Sequence, residues 1–546
     1  MKRKAVAAVL TAVMVASMFT GCGSDNGSSS AKSASAASAA SAANDTVDED
    51  GKVNGIMYQE GLPLVDEGDY TFSIFCDDSS ESGEFIMLDE FKKQTNVDVD
   101  LKIYPYETAT ERLNLDLNSG DYADVIGGWT LSDNAILTYG VNQGVFIPLE
   151  DYFEKYCPNI SAILDLPGVR EKMTAPDGHI YTIPYVCADA TVGYNPYINT
   201  KWLENVGMSM PTTTDEFEAV LKAFKEQDAN GNGDASDEIP FSTDPNNKHI
   251  EAMAGYFGLP MNKLGIAIQD EKVVYGGVSN TYREFLSWFH KLYADGLVDV
   301  ELYTQDSSTW EGKGNQDLYG VSIAYGSSEF TGIPAAEERG DFDSMPVLNT
   351  DKGGIWLRDT EGFSVYRTQA VITNKAEHPE IICRWFDNAF ALENGIGCNR
   401  GPVGVIVNKE DDGYHAIDTT TLSEEDQEKY SWSNLWPQSL PKYLPADFEF
   451  VEEHPMYDEK KATEEAYEAN LTKEIIPSYW IDLDKIDTFS DTNTAIKDFF
   501  EQQQAQFVCG ELDIDNDADW QAYVDGMYSL GLEDWVATQG IEEIAK

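Results

Sequence analysis

The stretch from residue 70 to residue 126 constrains the fold more than any other. Residues 70–76 (YTFSIFC) form a short, β-rich apolar run and predict a buried strand. Residues 84–95 carry apolar side chains at helical spacing, and residues 97–104 (VDVDLKIY) alternate as a strand with one buried face does. A helix over 107–117 is closed by Asn118-Ser119-Gly120-Asp121, and 123–126 reads as a further strand. Strand, helix, strand, helix, strand at this spacing predicts a parallel α/β sheet, because parallel neighbours need a long crossover. Further helices are expected at 215–226 behind the capping run Thr212-Thr213-Thr214, at 280–294, from Pro379 to about 392, at 493–507 and at 519–531.

The ends define what surrounds this fold. Lys2, Arg3 and Lys4 precede an apolar run over 5–19, and then come Thr20, Gly21 and Cys22. A basic start, a short apolar core and small residues describe an export signal over 1–21. The run is shorter than the ~20 residues that cross a bilayer core. The Thr-Gly-Cys end resembles a bacterial lipobox, which makes Cys22 the expected site of lipid attachment. Residues 22–66 open on a Ser/Ala-rich stretch that cannot bury a core and read as a tether. The rest is long enough for two lobes. The formal net charge of −59 argues against nucleic acid and anionic surfaces as partners, and favours neutral or cationic ligands and divalent metal. Apart from Cys22, the cysteines at 76, 157, 187, 383, 398 and 509 are widely spaced with no CxxC; long-range disulfides stay open and unpaired.

One loop has metal chemistry. Asp228, Asn230 and Asn232 stand at positions one, three and five, with Gly233 at six and Asp234 at seven. Alternate oxygen side chains converging on one hard cation, with Gly for the turn, are the pattern of an EF-hand-type calcium loop. Glu238 falls at position eleven, one short of the usual closing ligand. An acidic, Gly/Asn-rich surface turn is the plain alternative. No nucleophile elbow, HExxH or phosphate loop is present, and the six His residues show no metal-binding pair. Carboxylates are too many for their number to single out a glycosidase pair.

Four segments carry a family resemblance: 117–126 (LNSGDYADVI), 144–152 (GVFIPLEDY), 177–184 (DGHIYTIP), and 197–203 (YINTKWL) followed by Gly207, Pro211 and Thr212. In order and spacing they resemble the large extracellular solute-binding lipoproteins of ABC sugar importers, including the alginate-oligosaccharide-binding proteins. The resemblance implies a two-lobe, periplasmic-binding-protein-like α/β fold with a hinge and an interlobe cleft. Its expected parts are a first lobe over 67–188 and 370–430, a second lobe with the calcium loop over 189–369, and a mainly helical region over 431–546 packing on both. Hinge crossings are expected near 185–194 and 362–371. Asp237 and Glu238 would close a shortened calcium loop, as in the alginate-binding relatives. The implied function is capture of an oligosaccharide and delivery to the transmembrane permease subunits of an importer, without catalysis. The protein would be a monomer on the outer face of the cell membrane, held there by lipid alone. A lipid-anchored glycoside hydrolase and a carbohydrate adhesin are the alternatives.

Sugars offer apolar C–H faces to aromatic rings and hydroxyl rims to polar groups. Ligand sites of α/β sheets form at the carboxyl ends of parallel strands. Trp129, which follows Gly127-Gly128, and Asp77 are therefore expected in the cleft, with Tyr185 at the hinge and Trp310, Tyr325 and Trp356 in the second lobe. Asp78, Tyr194, Trp432 and Trp436 share similar strand-end, hinge or loop positions.

Overall fold

The computed structural model describes residues 45–78, 84–244, 249–332, 340–445, 448, 450–451, 455–541 and 543–545. Cys22, and with it the expected lipid attachment, lies outside them. The strands used below are β1 (Tyr70–Asp77), β2 (Val97–Tyr104), β3 (Val125–Gly127), β4 (Thr182–Ala188), β5 (Asn195–Asn199), β6 (Ile239–Thr243), β7 (Tyr319–Ala324), β8 (Phe342–Ser344) and β9 (Phe363–Ile372). The helices are α1 (Ile86–Thr95), α2 (Tyr106–Ser119), α3 (Thr214–Glu226), α4 (Asn280–Ala294), α5 (Pro379–Ala389), α6 (Pro455–Tyr467), α7 (Ile486–Cys509) and α8 (Asp517–Ser529).

The first lobe is built on a sheet of order β2-β1-β3-β9-β4. β1 pairs in parallel with both β2 and β3, with α1 and α2 as the crossovers. Gly120, at φ 76°, caps α2 and turns the chain toward β3. The sheet is not parallel throughout, as the first expectation had it. β9 returns from the other lobe and inserts antiparallel between β3 and β4. Both faces are covered. Phe72, Ile74, Val125 and Ile372 pack against Phe91 of α1 and Trp385 of α5, together with Trp436 from the later loop. Their neighbours Phe75, Ile126 and Val371 pack on the opposite face with Leu113 and Leu137, as the two-residue period of a strand requires.

The second lobe has the sheet order β8-β5-β7-β6, with β7 and β6 parallel and β5 antiparallel to β7 and β8. α3 starts on an N-cap at Thr213, with Glu216 reaching back one residue beyond it. Thr213 Oγ1 accepts from Glu216 N at 3.2 Å, and Glu216 Oε2 accepts from Thr212 N at 2.9 Å. Trp202, Phe217, Phe224, Phe241, Phe285 and Phe289 fill this core, together with Phe500, Phe507, Trp520 and Tyr523 from α7 and α8. The C-terminal part of the chain is thus divided between the lobes. Trp436 stacks on Trp385 of α5 at 5.6 Å, while α7 and α8 complete the second core.

The connections between the sheets run through 189–194 and 345–362, so the expected return at 362–371 is already β9. They are tied to each other and to α6. Asp359 N donates to Thr191 O (2.9 Å) and Gly193 N donates to Asp359 Oδ2 (2.7 Å). Thr191 N donates to Glu464 Oε1 (2.6 Å), and Lys460 Nζ donates to the carbonyls of Val192 (3.1 Å) and Gly193 (2.5 Å).

Candidate functional site

The site begins at the carboxyl end of β1. Asp77 is fully buried. Its Oδ1 accepts from Trp129 N at 3.0 Å and its Oδ2 from Thr130 N at 2.7 Å. Burial pushes its pKa up, and these two N–H donors hold it back. Between β3 and Trp129 stands Gly128, at φ 132°, where a Cβ would lie 2.4 Å from the Asp77 carboxyl. Asp77 therefore shapes the loop that displays Trp129 and is not itself open to a ligand, which corrects the expectation of a binding role. Asp78 is likewise buried and accepts from Gln438 N at 2.7 Å.

Trp129 is 46% exposed. Its ring stands edge-on to Tyr366 at 5.2 Å and tilted to Tyr185 at 6.3 Å. Tyr185 and Tyr366 are direct partners across β4 and β9, and their rings stack at 5.5 Å. The Gln438 loop also carries Trp432, which is 50% exposed and has Lys442 Nζ at 5.7 Å from its ring centroid. Two half-open indoles thus flank the Asp77–Asp78 corner. Trp436, on the same loop, is core.

The two lobes meet at Asp189, just beyond β4. Its Oδ2 accepts from Ser364 Oγ (2.5 Å) and Tyr366 Oη (3.0 Å) on β9. Its Oδ1 accepts from Tyr325 Oη (3.1 Å), which follows β7 in the second lobe. Tyr325 lies edge-on to Tyr194 at 6.0 Å, and Tyr194 stacks on His249 at 4.0 Å. Burial lowers the His249 pKa to about 4, so the imidazole is neutral there. Glu329 Oε2 accepts from Tyr325 N at 2.9 Å. Glu329 and Asp359 keep solvent-exposed surface, but the protein packed around their carboxyls pushes their pKa values up to about 7 and about 6.

Tyr185, Tyr325 and Trp129 are brought together; Trp310 and Trp356 are not. Trp310, 3% exposed, donates from Nε1 to Ser322 Oγ, and Trp356, 1% exposed, packs on Tyr256 and Tyr467. Both are interior side chains of the second lobe, and the expectation that they touch ligand is corrected. Asp189, Tyr366 and Asp359 were not singled out from sequence. Their partners lie more than a hundred positions away, so no local pattern marks them.

In the loop after α3 the side-chain oxygens accept from N–H and amide groups of the loop itself. Asp228 Oδ2 accepts from Gly233 N (3.0 Å), Asn230 Oδ1 from Asn232 N (3.0 Å), and Asn232 Oδ1 from Asp234 N (2.7 Å). Glu238 Oε1 accepts from Ala229 N (2.9 Å), and Asp237 accepts from the amides of Asn230 and Asn232. Asp228 Oδ1 and Glu238 Oε2 are buried and have no hydrogen-bond partner. Orphaned carboxylate oxygens are costly, and a hard cation between them would satisfy both, so the donor set fits calcium.

Comparison with known proteins adds to this geometry. The sequence profile of the bacterial extracellular solute-binding proteins matches residues 78–395. The fructooligosaccharide ABC transporter substrate-binding protein FusA of Streptococcus pneumoniae is 31% identical over 411 residues, covering 73% of this chain and 70% of FusA. Lipoprotein LipO of Bacillus subtilis is 28% identical over 280 residues, 50% of this chain and 52% of LipO. The structure of FusA with kestose superposes with a TM-score of 0.75 at 26% identity, covering 86% of this chain and 98% of that one. FusA has also been solved as an EF-hand mutant. Alginate-binding protein AlgQ2, solved without calcium ion, shares the fold at a TM-score of 0.71 and 22% identity, over 88% and 99% of the two chains.

Proposed function

Since the chain belongs to the bacterial extracellular solute-binding proteins, we propose that it captures an oligosaccharide between its two lobes and delivers it to the permease of an ABC importer. The observation that carries this reading is Trp129. Its half-open indole is held at the end of a parallel strand by Asp77, beside the Asp189 junction where the lobes meet. A flat ring suits a sugar face, and lobe closure around the hinge would sequester the ligand and present one shape to the permease. Trp129, Tyr185 and Tyr325 are the proposed contacts, with Trp432 as a further stacking face.

Asp228, Asn230, Asn232, Asp234, Asp237 and Glu238 would hold a structural calcium ion, a role supported by the orphaned oxygens of Asp228 and Glu238. Cys22 would carry the lipid that keeps the protein at the extracellular face of the cell membrane, with 22–66 as tether. The likeness to LipO supports that placement. Among the described residues no helix is long and apolar enough to cross a membrane. Calorimetric titration of the purified full-length chain with oligosaccharides, followed by chromatography of the recovered ligand, tests the reading. Binding with the ligand intact is expected, and release of shorter products would overturn it.

A further inference from the structure

The chain passes between the lobes through irregular segments at 189–194 and 345–362, and again at 471–482, where Leu471 and Ile476 pack on the second core and Trp480 and Ile481 on the first. The next crossing is made by α7, as a helix. Its start is fastened to the first lobe. Ile486 is buried in that core. Just before it, Arg367, paired with Asp133, donates to Tyr479 O at 2.8 Å and covers the Trp480 ring at 4.2 Å. Trp480 Nε1 donates to Lys172 O at 3.1 Å, and Asn134 Nδ2 donates to Ser490 Oγ at 3.2 Å. One turn on, α7 belongs to the second lobe. Asn493 Oδ1 accepts from Trp535 Nε1 at 2.9 Å, and Trp535, Ile496, Phe500 and Phe507 all lie in the second core. Phe489 packs on both cores.

Irregular chain absorbs a rotation of the lobes in a few φ/ψ angles. A helix held by a different lobe at each end has no such freedom while its hydrogen bonds last, and it yields where that ladder is weakest. Residues 488–494 read TFSDTNT. These are mostly β-branched or short polar side chains, which lose rotamer freedom in a helix or compete for its backbone. Thr492 does compete: its Oγ1 donates to Thr488 O at 2.8 Å, a back-bond of the kind that bends helices. Farther along, residues 501–505 (EQQQA) are good helix formers. The weak stretch of α7 therefore coincides with the turn in which it changes lobes.

We infer that α7 is a pivot of lobe closure: its hydrogen bonds over residues 490–494 open when the lobes part and re-form when they close, because the helix is anchored to the first lobe at Ser490 and to the second at Asn493. The pivot rests on the lobe closure proposed above and concerns the motion alone, so its failure leaves oligosaccharide capture standing. A second link between the lobes supplies a handle outside α7. Tyr325 Oη, from the second lobe, donates to Asp189, which Ser364 and Tyr366 hold on the first.

The test is hydrogen exchange of single amides, read by mass spectrometry on the purified full-length chain with calcium and no sugar. Tyr325→Phe keeps the ring and removes the bond to Asp189, which should raise the share of molecules with parted lobes by about tenfold. In that variant the amides of 490–494 should exchange about tenfold faster, and those of 500–507 at the wild-type rate. Adding Thr488→Ala, Thr492→Ala and Thr494→Ala should slow 490–494 again by about tenfold, since alanine favours the helix and carries no back-bonding hydroxyl. Rates at 490–494 that ignore Tyr325→Phe would show that the helix takes no part in opening, and overturn the pivot. A rise shared equally by 500–507 would report loosening of the whole second lobe and overturn it too, as would rates that ignore the three alanines.

Discussion

At the level of single residues, Gly128 and Trp129 form one device. The positive φ of Gly128 and the 2.4 Å approach of a Cβ to the Asp77 carboxyl leave no room for another residue. That close approach lets Asp77 take the N–H groups of residues 129 and 130 and aim the indole outward. Gly128→Ala should therefore lower both the melting temperature and ligand affinity. Trp129→Ala should separate the two. With 46% of the side chain already in water, little fold energy is lost. Loss of a stacking anchor costs ~2 kcal/mol in binding, about a thirtyfold weaker Kd. Affinity and the ligand-free melt, measured on the same variant, decide: a deep fall in melting temperature with affinity retained would place Trp129 in the core and remove it from the site.

Among the elements, those with a local signature were legible in the sequence. The alternation of residues 97–104 and the apolar run of 70–76 follow from which face each strand buries, and β1 and β2 pair as their spacing predicts. α7 was legible only in part. It begins at Ile486, earlier than residue 493, because Ile486 is buried against the first lobe while the stretch TFSDTNT offers poor helix formers. Trp310 and Trp356 misled for a related reason. Trp310 lies in a helix over Ser307–Asn315 and Trp356 in an extended connection, and neither local context says whether a ring points outward or into the lobe. The Asp189 junction was illegible because it joins β9 and the chain after β7 to the end of β4. The loop over 228–238 is the opposite case, since all the donors proposed for calcium lie within one short segment. Its two orphaned oxygens predict that a chelator lowers the melting temperature, and calcium at ~100 times its Kd would contribute ~2.7 kcal/mol. Asp228→Ala should melt lower than wild type in calcium and lose its response to chelator. Identical wild-type melts with chelator and with excess calcium would reduce the loop to a turn.

Across the whole molecule the dominant electrostatic fact is the formal net charge of −59. Self-repulsion of that sign disfavours the compact state and weakens with salt and with acid. Particular carboxyls act in the same direction. Asp387 in α5 is buried, accepts from Ile160 N at 2.8 Å and from Asn159 Nδ2 at 2.9 Å, and burial still pushes its pKa from 3.8 to about 6. Glu329 and Asp359 are raised as well. Each raised group keeps a proton in the folded state that the unfolded chain has already released. Stability therefore falls as pH rises from the unfolded carboxyl value through the folded one, between about 4 and about 7. The exposed carboxyls Asp66, Glu216 and Asp306 are lowered by their hydrogen bonds, and their smaller contribution is lost only as pH drops below about 4. The two trends place maximum stability on the acid side of neutrality. Thermal melts in low salt should be higher at about pH 5 than at about pH 8, and added salt should narrow the gap from the alkaline side. Asp387→Asn retains an oxygen for the Ile160 N–H and removes the titration, so its melting temperature should gain more at about pH 8 than at about pH 5 relative to wild type. A wild-type melt that climbs steadily from about pH 5 to about pH 8 would show that paired carboxylates, rather than the three with raised pKa values, govern the stability of the fold.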